Sequence, residues 1–137
     1  MLHLVPMIFV MGAIFFLSHQ PGDSLYMPSI PGIDKVAHMA AYAALAAAVL
    51  YAFQLLPAMN KTALQVSLLT IGFCIFYGIG DEFHQSFIPY RYVSFADLVA
   101  DALGAVTASV AWFLWKGRRG AEAKNQYCTS KIVPPRG

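Results

Sequence analysis

The sequence predicts an all-α membrane protein, a bundle of four transmembrane helices with a polar cluster at the extracytoplasmic end. Three observations lead there. Hydrophobic residues make up 58% of the 137 and charged residues only 12%, with a mean hydropathy of +0.58, outside the range of a soluble domain. Apolar runs at about 2–18, 36–56, 62–83 and 93–115 each come near the ~20 residues with which a helix crosses ~30 Å of hydrocarbon. Finally, most of the carboxylates sit at those ends of the runs that an up-down bundle brings to one side, where charge beside hydrocarbon demands a purpose.

The first run has no basic stretch before it and no Ala-x-Ala site after it, so it reads as a retained helix rather than a signal peptide, stopped by Pro21 and Gly22. The following loop mixes turn residues with Leu25, Tyr26, Met27 and Ile30, which suits an interfacial connector or a lid over a cavity. In the second helix, Asp34, Lys35, His38 and Tyr42 share an arc of about 100°. The small residues from Ala43 onward then allow close helix approach. In the third, Gly78, Asp81, Glu82 and Gln85 share a similar arc, and in the fourth Ser94, Asp97, Asp101, Gly104 and Ala108 form a small-and-acidic stripe. Trp112, Trp115 and the basic residues from Lys116 to Arg119 are interface anchors. They close a transmembrane domain over residues 1–119 and leave 120–137 as a polar tail, expected to be disordered. Cys74 lies mid-helix and Cys128 in the tail, so no disulfide is expected.

Four spans put both termini and the 57–61 link on one side. That side carries Lys61, Lys116, Arg118, Arg119, Lys124, Lys131 and Arg136, against Lys35 and Arg91 on the other. The positive-inside rule therefore places both termini in the cytoplasm and the acidic cluster outside. Within that cluster, Glu82, His38 and Asp81 are the candidate acid/base groups. Lys35 and Arg91 are the cations able to hold an anionic head group, and Gln85, Asp34, Tyr42, Asp97 and Asp101 complete the ligand-binding set. Carboxylates so crowded need cations nearby, which predicts Arg91 or Lys35 within salt-bridge reach of Glu82 or Asp81. A purely structural ion network fits the same residue types.

These stripes, in this order, resemble the VanZ-like family of small bacterial membrane proteins over about residues 14–108. The matching pieces are Phe16-Leu-Ser18 before a Pro-containing loop, Asp34-Lys35-x-x-His38-x-x-x-Tyr42, Tyr77-Gly-x-x-Asp81-Glu82-x-x-Gln85-x-Phe87-x-Pro89-x-Arg91, and Asp97-x-x-x-Asp101-x-x-Gly104. The chain departs from the family in having Tyr90 where Gly is usual and Asp101 where Asn is usual. The resemblance implies a bacterial cytoplasmic-membrane protein of the cell envelope, linked to antibiotic resistance against the lipoglycopeptide teicoplanin.

Two functions fit. One is an enzyme acting on an amphiphilic envelope lipid or glycolipid at the outer leaflet. The other is a non-catalytic protein that binds or sequesters a lipid-linked ligand or lipoglycopeptide. Membrane lipids are the expected partners, nucleic acid is not one, and no cofactor is expected. A metal set of His38, His84, Asp81 and Glu82 is disfavoured because His84 projects away from the Asp81–Gln85 line and no HExxH pattern exists, so no metal is expected. A transporter is disfavoured because the stripes stop short of the cytoplasmic half.

Overall fold

The computed structural model describes residues 2–21, 32–56 and 62–132, and among them the chain is helical with no strand. A short 3-10 turn, Leu2–Leu4, leads into α1 (Val5–Ser18), followed by α2 (Ile33–Gln54), α3 (Ala63–Gln85) and α4 (Phe95–Ile132). The loop expected to act as connector or lid lies mostly outside the described residues, as does the 57–61 link.

Each helix starts for a local reason. Pro6 stands in the first turn of α1, where its missing N–H costs nothing. Gly32 precedes α2 with φ +83°, a conformation that glycine adopts freely. A capping box opens α3: the Gln65 N–H donates to Thr62 Oγ1, and the Thr62 N–H donates to Gln65 Oε1. Asp97 lies in the first turn of α4, where its charge opposes the helix dipole.

α2, α3 and the apolar part of α4 are long and apolar enough to cross a membrane, and the Leu2–Ser18 stretch is a shorter apolar helix. Large hydrophobics cover the outside, as with Phe76 at 78% exposed and Phe9 at 74%, which suits a lipid solvent. The interior core is small: Ile14, Tyr42, Leu45, Ala46, Val49, Cys74 and Ala105. α2 is the central helix, packed most extensively on α4. Their closeness depends on Gly104, where an added Cβ would overlap the Met39 carbonyl oxygen and approach the Ala43 nitrogen to 3.0 Å.

The fourth helix departs from expectation. It does not end near Trp115 but continues to Ile132 through the stretch read as a disordered tail. Gly117 and Gly120 weaken a helix by only about 1 kcal/mol each, and the Ala-Glu-Ala-Lys run that follows favours helix extending from a turn already formed. Lys116 over the Trp112 ring (5.6 Å) and Arg119 over the Trp115 ring (4.9 Å) add i,i+4 cation–π contacts across the junction.

Candidate functional site

Because the helices alternate in direction, the C-terminal ends of α1 and α3 meet the N-terminal ends of α2 and α4. The polar stripes thus share one end of the bundle. There they divide into two adjoining clusters rather than one.

The first cluster joins α1 to α3. Ser18 Oγ donates to Asp81 Oδ2 at 2.8 Å, and Gln85 Nε2 donates to the same oxygen at 3.0 Å and to Ser18 Oγ at 3.3 Å. All three side chains are buried. Beside them lies a cleft of about 120 Å³ between α1 and α2, with Ile14, Leu17, Ala37 and Ala41 as apolar walls. Ser18, His38, Tyr42, Asp81, Gln85 and Arg91 supply its polar lining. The Tyr42 hydroxyl is buried and has no hydrogen-bond partner among the described residues. Gly78 leaves room here, since a Cβ would stand 3.4 Å from Tyr42 Cε1 and 3.2 Å from Asp101 Oδ2.

The second cluster joins α2, α3 and α4. Lys35 Nζ bridges Asp34 (2.6 Å) and Asp97, the latter pair in direct contact. His38 Nδ1 lies 3.0 Å from the buried Asp101 Oδ1. Glu82 Oε2 accepts from the Ser94 N–H at 2.9 Å, while its Oε1, also buried, has no hydrogen-bond partner among the described residues. Asp34, Glu82, Asp97 and Asp101 thus stand around one ammonium and one imidazole, an acidic balance in which Glu82, Asp97 and Asp101 are buried while Asp34 and Lys35 stay partly exposed.

The expectation that Arg91 or Lys35 pairs with Glu82 or Asp81 is corrected. Lys35 takes Asp34 and Asp97 instead. Arg91 makes no ion pair among the described residues: Nε donates to the Gln20 carbonyl at 3.1 Å and Nη2 to the Leu17 carbonyl at 2.9 Å. The Leu17 carbonyl also accepts from the Gln20 N–H at 3.2 Å, so the guanidinium adds a donor to the turn that closes α1 while its flank faces the cleft. Asp81 is satisfied by neutral donors, which reduces its need of a cation.

Ser18 and Ser94 carry contacts that residue-type reasoning did not assign to the site. Ser18 belongs to the Phe16-Leu-Ser18 piece, which was the available signal, whereas Ser94 acts through its backbone, for which a side-chain pattern holds no signal. His84 lies elsewhere, its Nε2 3.2 Å from His19 Nδ1 and its ring tilted against Phe15, with ring centroids 4.8 Å apart. Neither His84 nor Asp81 joins His38 and Glu82. The described residues whose donor atoms converge are His38, Glu82 and Asp97, each with one ligand-type atom within 4.8 Å of the others.

A small helical membrane-type bundle with a buried ionic end and a cleft beside it is the class these features define. The chain belongs to the VanZ-like family, whose VanZ/LLP1 model matches residues 2–116. It is 34% identical over 90 residues to an uncharacterized protein of the fission yeast Schizosaccharomyces pombe, covering 66% of this chain and 52% of that protein. The chain therefore spans about half the length of the curated relative it matches. No solved structure matches it.

Proposed function

We propose that this protein acts on an amphiphile of the cell envelope, a lipid or glycolipid whose tail lies along α1 and α2 while its head group enters the cleft between them. The observation that carries this reading is the cleft's composition: apolar walls from Leu17 and Ala37 inward, then His38, Tyr42, Asp81 and Gln85. The four helices span the bacterial cytoplasmic membrane with both termini inside, so the polar end meets the outer leaflet. Ser18, Gln85 and the Tyr42 hydroxyl offer hydrogen bonds to a head group.

Chemistry falls to His38 and Glu82. Asp101 at His38 Nδ1 orients the imidazole and leaves Nε2 as its free nitrogen, the arrangement of an oriented base. Glu82 adds a carboxylate oxygen with no hydrogen-bond partner among the described residues. In the bacterial setting, altering an envelope lipid links the site to teicoplanin resistance. The relative in a yeast, which builds no peptidoglycan, favours a lipid over a peptidoglycan-specific head group.

A binding-only protein is the second reading, favoured by the structural bonds that occupy Arg91 and Asp81. The two separate in one experiment. Purified protein in lipid nanodiscs is incubated with envelope lipids and glycolipids, and products are followed by mass spectrometry. Catalysis predicts turnover that falls roughly 10²–10⁴-fold in Glu82→Gln and His38→Gln at unchanged thermal stability. Lipid binding without turnover by the unaltered chain replaces the catalytic reading with the binding one.

A further inference from the structure

We infer that His38, Glu82 and Asp97 form a binding site for a divalent metal cation. Their donor atoms lie within 4.8 Å of one another. Three ligands at about 2.0–2.2 Å from one ion stand roughly 3–3.5 Å apart, so side-chain rotations of about an ångström close the set. Each residue comes from a different helix, α2, α3 and α4, so the bundle itself holds the triangle.

Proximity of acidic groups alone points to no ligand, but Glu82 supplies a second observation. The side chain is 5% exposed, one carboxylate oxygen is engaged by the Ser94 N–H, and the other is buried without a hydrogen-bond partner among the described residues. A buried carboxylate oxygen without a donor is costly, and a cation within the triangle removes that cost.

The surroundings supply the remaining features of a metal centre. Asp101 Oδ1 accepts from His38 Nδ1–H, fixing the tautomer with Nε2 free, which is the carboxylate–histidine–metal arrangement. The charge balance also agrees: four carboxylates face one ammonium and one imidazole, and a divalent ion offsets much of the excess. Lys35, bonded to both Asp34 and Asp97, keeps Asp34 as its partner when Asp97 turns to the ion. One imidazole with two carboxylates suits a cation of intermediate hardness such as Zn²⁺ or Mn²⁺ better than Ca²⁺ or Mg²⁺, which prefer all-oxygen sets. Three protein ligands leave positions for water or a ligand oxygen, and with the ion bound His38 and Glu82 serve as its ligands instead of as the free base and carboxylate of the metal-free site.

Metal binding is measured on the purified full-length chain without any amphiphile, so its outcome is separate from that of the proposed function. Chelator-treated protein in detergent is titrated with Zn²⁺ and Mn²⁺ by calorimetry and with Co²⁺ by absorption. One equivalent is expected to bind, with a Co²⁺ spectrum typical of nitrogen and oxygen donors. His38→Gln, Glu82→Gln and Asp97→Asn are each expected to weaken binding at least 100-fold, and Asp101→Asn, acting through His38, by about 10–100-fold. The His19→Gln/His84→Gln double variant removes the histidine pair on the α1–α3 surface and is expected to leave affinity unchanged. Absence of binding by the unaltered chain overturns the inference. So does binding that disappears in the His19/His84 variant and persists in Glu82→Gln. Should one of the ligand variants fail to fold, the unaltered chain's titration and the His19/His84 control still decide.

Discussion

Tyr90 is the one non-glycine residue with positive φ among those described, at +60°. Left-handed backbone costs an L-residue about 1–2 kcal/mol, a cost glycine does not carry. The tyrosine ring is 72% exposed and so recovers little by packing. Tyr90→Gly is therefore expected to stabilise the protein by about 1 kcal/mol in a reversible unfolding measurement in detergent. A lower midpoint would mean that the ring contributes more than the turn costs. Asp101 acts differently: it sets a carboxylate 3.0 Å from His38 Nδ1. A carboxylate orients the imidazole more strongly than an amide does, which makes position 101 a determinant of how His38 works.

At the scale of elements, the α2–α4 contact decides whether His38 meets Asp101, and that contact is set by Gly104. Gly104→Ala would drive a methyl group into the Met39 carbonyl, which separates the helices one turn beyond Asp101. The expected cost is about 1–3 kcal/mol of stability, read from the unfolding midpoint, together with loss of metal binding as the His38–Asp101 pair opens. Gly72 in α3 is the control: a Cβ there meets nothing within 4 Å, so Gly72→Ala should be neutral or slightly stabilising through helix propensity. If both glycines tolerate alanine equally, the close approach at Gly104 does not position the site. α1 is held to the rest by Ile14 in the core, by Met7, Val10 and Met11 packed against it, and by polar contacts: Ser18 to Asp81, the Tyr77 hydroxyl to the Met11 carbonyl at 2.8 Å, and Arg91 to the Leu17 and Gln20 carbonyls.

For the whole molecule the charge distribution sets the expected orientation. The bias of seven Lys and Arg residues toward one face of the chain, against Lys35 and Arg91 on the other, predicts that the polar end faces outward. A cysteine substituted at Ser24 should react in intact cells with a membrane-impermeant thiol reagent, and one at Ala121 should react only after permeabilisation, measured in a background with Cys74 and Cys128 replaced. Reversed labelling would place the cleft at the cytoplasmic face. The continuation of α4 to Ile132 extends its basic end past the aromatic belt, where Lys116, Arg118, Arg119 and Lys124 can meet anionic head groups.

The sequence by itself determined the helical class, the places of the apolar runs and the sharing of one end by the polar stripes. Those follow from local rules: hydropathy sets helix length, a 100° step places Asp34 with His38 and Asp81 with Gln85, and alternating direction brings the ends together. Only the tertiary structure decided which partner each ionisable group takes. Arg91 turned to the α1 carbonyls, Asp81 to Ser18, Glu82 to the Ser94 N–H and His38 to Asp101. Those choices depend on how far each helix is rotated and how deep it sits against its neighbours, which packing at residues such as Gly104 settles and side-chain spacing along one helix does not. The end of α4 belongs to the same category, because a helix already held by its neighbours carries on into a stretch whose polar composition reads as a disordered tail.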